Sequence, residues 1–335
     1  MSYNVLPKTY SNLKLQITLQ NKIISPSFSS SYYHFLNEKQ RALQDIKDKT
    51  EEHAFVNCYK LLNIKNYINT YNIKVEDDTS TKSLFLNLIE IFNNYNANII
   101  LKKCNKFLHI GEKHKESISA IEHLQKNAKE VTVYESIDKV DNTELLKKDY
   151  FDYFFIELNS SNLTDPNKYI IAQIKTLILI INKLNLGSLV IIKLDYLFYQ
   201  PLLEFVYVIT SMFEKTLLVK PLTSDTVSLE KYLVCKNLKN NSFDISSYRD
   251  CLMNNTFESQ NISSIINNKV PIYFKNKLTE IDVILGQNLL ENIQELINFL
   301  NYKNKIEKVD NIEKSNIHKA SVWLIKNKLS PNTFL

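Results

Sequence analysis

Between residues 82 and 235, short apolar runs alternate with stretches of helical periodicity. Phe107-Leu108-His109-Ile110, Val131-Thr132-Val133-Tyr134, Tyr153-Phe154-Phe155-Ile156 and Ser188-Leu189-Val190-Ile191-Ile192 read as strands, because each is short, apolar and rich in β-branched or aromatic residues. Residues 117–125, 167–184 and 202–213 place apolar side chains three or four positions apart and read as helices. Residues 215–220 and 231–235 read as two further strands, with no room for a helix between them. This alternation predicts a doubly wound, mostly parallel α/β sheet of Rossmann-like type, with an antiparallel hairpin at one edge. An amphipathic helix over 82–103, carried by Leu84, Leu86, Leu88, Ile89, Ile91 and Phe92, precedes the first strand.

The two ends of the chain follow other patterns. Residues 1–35 are polar and Ser/Tyr-rich, and read as an extended arm that packs on the core or stays mobile. From Leu36 to Leu62 the spacing is helical, and residues 63–80 form a polar connector around Glu76-Asp77-Asp78. Asn and Ser dominate 240–268, after which helical periods run over 280–300 and 312–328. The expected organisation is therefore an N-terminal arm with helices over 1–80, a core over 81–240, and a helical C-terminal extension over 241–335.

Composition narrows the chemistry. The 335 residues carry a net charge of +5, almost wholly from lysine, since Arg41 and Arg249 are the only arginines. That balance permits RNA binding but argues against an arginine-fork reader of bases. There are only three glycines, Gly111, Gly187 and Gly286, so both the GxGxxG and the GxxxxGK[ST] phosphate cradles are absent. Cys58, Cys104, Cys235 and Cys251 are scattered, and read as reduced thiols in a cytoplasmic protein with neither a zinc site nor a disulfide frame. The most apolar stretch, 169–198, is broken by Gln173, Lys175, Asn182, Lys183, Asn185 and Lys193, so no membrane span or membrane partner is expected. No secretory signal is visible at the start of the sequence.

The segment Lys220-Pro221-Leu222-Thr223-Ser224-Asp225-Thr226-Val227-Ser228-Leu229-Glu230-Lys231-Tyr232-Leu233-Val234-Cys235-Lys236 resembles, without a gap, the "KPxTSRPxxSERYxVCK" segment of the FtsJ-like (RrmJ-type) ribose 2′-O-methyltransferases. The likeness is to the cap-specific branch found in eukaryotes and large DNA viruses. It spans 187–237 and extends more weakly back to about residue 55. It implies the S-adenosylmethionine-dependent methyltransferase form of the doubly wound fold. It also implies a K-D-K-E tetrad, in which a desolvated central lysine of lowered pKa takes the proton from a ribose 2′-hydroxyl. Carried over residue by residue, Lys193 ends the strand Leu189–Lys193 as the central lysine and Glu230 is the final glutamate. Glu157 stands for the aspartate, and Lys60 resembles the first lysine. The chemical set is then K-E-K-E.

The same resemblance places the cofactor at 107–121. Gly111 and Glu112 keep the family's pattern there, while His114-Lys115-Glu116 replaces Pro-Gly-Gly, which is expected to put Lys and Glu side chains into the cofactor's volume. Glu135, at the end of the second strand, is either a ribose-gripping acid or a solvated strand end. Asp225-Thr226 replaces Arg-Pro, putting an anion where RNA phosphates are expected. Two functional readings follow: a divergent RNA 2′-O-methyltransferase acting on capped mRNA, or an inactive RNA-binding or scaffolding subunit of a viral RNA-processing complex. Lys102, Lys103, Lys106, Lys113, Lys115, Lys126 and Lys129 form either an RNA-facing patch or solvated helix surface. Tyr196, Phe198 and Tyr199 either stack a base or cap the sheet. The arm and the helical tail offer surface to a protein partner.

Overall fold

The structure, a computed structural model, describes residues 5–9, 13–68, 83–125, 130–147, 149–158, 166–254, 260–301 and 306–329. The acidic run Glu76-Asp77-Asp78 and the lysines Lys126 and Lys129 lie outside them. The chain opens with β1 (Leu15–Gln20), α1 (Ser30–Lys47), α2 (Glu52–Leu62) and the single turn α3 (Lys65–Ile68). The core follows with α4 (Ser83–Asn94), α5 (Asn98–Leu101), β2 (Lys106–Ile110), α6 (His114–Leu124), β3 (Glu130–Tyr134), α7 (Asn142–Leu146) and β4 (Phe151–Glu157). It continues with α8 (Pro166–Lys183), β5 (Leu184–Leu194), α9 (Gln200–Met212), β6 (Phe213–Val219) and β7 (Lys231–Leu238). The last part holds α10 (Ser246–Met253), β8 (Asn261–Ile266), α11 (Ile272–Asn301) and α12 (Ile306–Lys326).

Six strands form the central sheet in the order β3-β2-β4-β5-β7-β6. The first four run parallel, while β7 is antiparallel to both β5 and β6. This is the doubly wound Rossmann-like sheet with an antiparallel edge hairpin. β4 reads Phe-Asp-Tyr-Phe-Phe-Ile-Glu because a central parallel strand is covered on both faces and needs apolar side chains in both directions. One face of the sheet packs with α8, α9 and α11, the other with α3, α4 and α12. The helix expected over 82–103 is two: Asn96 takes φ 55°, which ends α4 and turns the chain into α5.

The arm is packed. Val5 bridges to Leu217, and Leu6 N–H donates to Thr216 O at 2.9 Å, so the arm covers the edge strand β6. Ser27 and Phe28 N–H both donate to Phe198 O. The polar stretch 240–268 holds more order than its composition suggests: α10, and β8 paired antiparallel with β1. Glu204 of α9 explains part of this, since its buried carboxylate accepts Ile265 N–H at 2.7 Å and Ser264 Oγ at 2.9 Å. Among the described residues no helix is long and apolar enough to cross a membrane.

The long α11 is keyed to the core at two points. Lys231 Nζ, at the first residue of β7, meets Asp282 Oδ1 at 2.6 Å with both side chains buried. One turn along, Gly286 lies against the ring of Tyr32, where an added Cβ would stand 2.7 Å from two ring carbons. A buried pair costs desolvation on both sides, and losing one partner strands the other charge. Asp282→Asn or Lys231→Met alone should lower unfolding free energy by about 3–5 kcal/mol, while Lys231→Met with Asp282→Leu should recover most of it. Urea titration followed by circular dichroism checks both outcomes.

Candidate functional site

Three neighbouring strands converge at one end of the sheet. Glu157, the last residue of β4, pairs in register with Lys193 of β5, and Lys193 pairs with Tyr232 of β7. Directly paired residues share a face, and so do residues two apart on one strand, so Glu230 projects to the same side as Glu157 and Lys193. Lys193 Nζ lies 2.6 Å from Glu157 Oε1 and 3.6 Å from Glu230 Oε2. The structure thus brings together three of the four residues of the expected set.

Lys60 does not join them. It is exposed on α2. A different lysine, Lys65 of α3, is only 7% exposed and interacts electrostatically with Glu230, Lys193 and Lys113. Burial lowers its pKa, and Glu230 partly opposes that shift. The sequence did contain a signal for Lys65: Ile64 and Ile68, an i, i+4 apolar pair, turn this segment inward and carry the lysine with them.

The expected direction of the Lys193 shift is reversed. Burial by itself lowers its pKa, but attraction to Glu157 and Glu230 and the hydrogen bond to Glu157 outweigh it and leave the pKa raised. Lys193 is therefore held as an ammonium.

Glu230 is delivered by a tied loop. Its Oε1 accepts Asp225 N–H at 3.1 Å, its own N–H donates to Ser228 Oγ at 3.0 Å, and Lys220 Nζ donates to Ser228 O. Burial is the main cause that brings the Lys220 pKa down to about 8. Asp225 is pushed up to about 6, first by burial and then by Glu230. Its carboxylate accepts Val227 N–H at 3.0 Å, so it closes a turn rather than facing outward as a free anion.

The rest of the loop hangs on α4. Glu90 accepts Leu222 N–H at 3.0 Å and also bonds Thr223, while Trp323 Nε1 of α12 donates to it at 2.7 Å. Asn87 receives Thr223 Oγ1 at 2.7 Å and donates to Tyr232 OH at 3.0 Å. Burial raises the Glu90 pKa against these donors. Asn87 and Glu90 interrupt an otherwise apolar helix three residues apart, a pattern that could have marked them in advance.

The cofactor positions divide. Gly111 adopts φ +150°, and an added Cβ would stand 2.8 Å from Glu157 Cβ, 2.9 Å from Glu157 Oε2 and 3.3 Å from His109 Nε2. Only glycine fits between the two carriers of this site. Glu112 is exposed. Glu135 is exposed too and ion-paired with Lys139, which lowers its pKa. The replaced loop does not fill the crevice as its sequence suggests. Lys115 is exposed, and Glu116 turns back to accept Leu84 and Phe85 N–H at 2.7 and 3.2 Å, stabilising the start of α4.

What surrounds Gly111 is polar and unsatisfied. Glu157 Oε2 and Nδ1 of His114 are buried without a hydrogen-bond partner. Buried polar atoms are rarely left so, and a site that binds a ligand is one reason. An unpaired buried carboxylate oxygen beside a bare glycine suits a cationic ligand that carries its own N–H donors. The charge of these residues suits a cation such as S-adenosylmethionine, while the space next to Gly111 itself is taken by Glu157 and His109.

Two surface expectations resolve as well. Tyr196, Phe198 and Tyr199 are buried, with Tyr196 stacked on Tyr169 at 4.7 Å and Phe198 against Tyr33 at 5.1 Å, so they cap the sheet and cannot stack a base. The described lysines of the basic patch are split. Lys102 and Lys103 lie just before β2 and Lys106 is its first residue, while Lys113 and Lys115 lie beyond its far end. Lys106 is already paired with Glu130 at 3.2 Å.

No family model matches the chain. No curated protein matches it either. Among solved structures it is similar to phosphoethanolamine N-methyltransferase 2 of Haemonchus contortus. For that enzyme with S-adenosyl-L-methionine, identity is 12% and the TM-score 0.31, over 53% of this chain and 42% of that one. For the complex with phosphomonomethylethanolamine and S-adenosylhomocysteine the values are 10% and 0.30, over 49% and 40%. An O-methyltransferase family protein of Burkholderia thailandensis matches at 7% identity and a TM-score of 0.28, over 64% of this chain and 74% of that one. The chain thus spans about two fifths of the Haemonchus enzyme. Likeness this loose carries nothing about residues or substrate, and the fold rests on the sheet order described above.

His109 offers a test of the buried polar cluster. Desolvation, with His114 beside it, lowers its pKa from the usual 6.5 to about 3. Between those values the unfolded chain binds a proton that the folded chain does not, so stability rises with pH there. The contribution is complete above pH 6.5 and is lost on acidification. His109→Phe, which keeps the stacking on Phe155, should flatten the slope of unfolding free energy between about pH 4 and 6.5 relative to the parent. Urea melts across that range measure it.

Proposed function

We propose that the chain is a divergent FtsJ-like RNA ribose 2′-O-methyltransferase acting on the 5′ region of capped RNA. The observation that carries this is the convergence of Glu157 and Glu230 on Lys193; buried Lys65, which interacts electrostatically with Glu230 and Lys193, is taken as the fourth member of a K-E-K-E set. Gly111, Glu157 and Glu135 are the residues that would hold S-adenosylmethionine, which would supply the methyl group. Glu157 and Glu230 orient Lys193. Its ammonium meets the ribose 2′-oxygen as negative charge develops there. Lys65, disfavoured as a cation by burial, accepts the hydroxyl proton. The two lysines thus divide roles that the family assigns to one.

The same electrostatics predict modest turnover, since a lysine held between two carboxylates does not release its proton readily. The chain is titrated with S-adenosylmethionine by calorimetry and assayed for transfer of tritiated methyl to capped RNA. Lys193→Ala and Lys65→Ala should each reduce transfer by about 100-fold or more, and Lys60→Ala should leave it within about twofold. Should wild type bind no cofactor and transfer no methyl group at high concentration, the enzymatic reading fails and the scaffolding reading replaces it.

A further inference from the structure

The second half of α12 carries a feature that the proposed chemistry does not use. Trp323 is buried, and its indole is committed to Glu90. Beside it Val322 is 49% exposed, Leu222 of the Glu230 loop is 49% exposed, and Ile325, one turn on from Val322, is 74% exposed. Leu222, Val322 and Trp323 floor a groove of about 330 Å³, with His318, Lys319 and Lys326 also lining it. Exposed aliphatic side chains gathered around a concavity are unusual on a surface with no partner.

The charge of the rim is one-sided. Among the described residues that line this groove Glu90 is the one acid, and its carboxylate is buried and engaged by Leu222 N–H, Thr223 N–H and the Trp323 indole; Glu291 and Glu295 of α11 line the adjoining pocket that shares Leu222, Lys319 and Lys326. The acidic residues of α12 lie in its first half, at Glu307, Asp310 and Glu313, and no Asp or Glu follows Glu313 in the sequence. The groove therefore presents an apolar floor inside a cationic rim.

We propose that this groove, between α12 and the loop at Leu222, docks an acidic segment of a partner protein. The segment would insert an apolar anchor side chain against Leu222 and Val322, with its carboxylates over Lys319 and Lys326. Among possible occupants, RNA is disfavoured because the floor is aliphatic and His318 is the single exposed ring among the described lining residues, too few to stack successive bases. A lipid surface is disfavoured because the feature is a concavity that takes one or two side chains, whereas α12 already buries Ala320, Trp323 and Leu324 against the core. The surface is independent of the methyltransferase reading, although Leu222 belongs to the loop that leads to Glu230.

The test uses the full chain and a fluorescein-labelled helical peptide with Leu and Phe one turn apart on one face and glutamates on the other. Two controls replace the glutamates with lysine, or Leu and Phe with alanine. By anisotropy the acidic peptide should bind at least about tenfold more tightly than either control, and more weakly as salt rises. Val322→Asp, and separately Lys319→Glu with Lys326→Glu, should each weaken it by about tenfold or more, with thermal melts showing that these surface variants fold. Equal binding of the three peptides, no binding at all, or no effect of the variants overturns the proposal. So does displacement of the peptide by phosphatidylserine vesicles or by oligoadenylate RNA. Self-association abolished by Val322→Asp would assign the groove to a second copy and overturn it likewise. None of these readouts depends on methyl transfer, so each reading can fail without the other.

Discussion

The alignment of β4, β5 and β7 is the constraint on which the site depends. Glu157 opposes Lys193, and Lys193 opposes Tyr232, so the two carboxylates and the ammonium share a face only in this register. A slip of one residue in either pairing would send one of them through the sheet into the opposite core. The register is secured by burial, since β4, β5 and β7 are apolar on both faces over most of their length. The inner ends of the strands hold the pattern and the polar residues at their tips inherit it.

A second level of organisation fixes the loop that supplies Glu230. Its backbone and side chains bond to Glu90 and Asn87 of α4, Asn63 beside α3 and Asn292 of α11. Trp323 of α12 closes the set through Glu90. These partners come from before and after the central sheet in sequence. Glu230 is thus set by contacts distant in sequence, and a carboxylate such as Glu90 is tolerated in the interior because its donors are supplied together. Lys231, the next residue, faces the opposite side and meets Asp282 there, so the strand is held from both faces where the loop enters it.

The central strands were legible because each is an apolar run of strand length, and Lys193, Glu157 and Glu230 because each sits at or beside a strand end. What the sequence concealed has common causes. β1 and β8 are short, half-polar and far apart, and each exists through the other and through Glu204, so neither shows a pattern alone. Lys60 and Lys65 are five residues apart in a lysine-rich chain, and only burial separates them. Glu116 looked like an obstruction because a loop sequence does not reveal which way a side chain turns. Here the unsatisfied N–H groups at the start of α4 draw it away.

The pairing of Leu15–Gln20 with Asn261–Ile266 bears on how such a fold can be divided or rearranged. The two segments flank the whole sheet in sequence and form a single ribbon in space. A fragment spanning only 81–240 would keep every strand of the large sheet. It would lose this ribbon, Asp282 opposite Lys231, and the indole on Glu90. Segments from the two ends of the linear order thus close on each other, and fusion or permutation has to respect that closure.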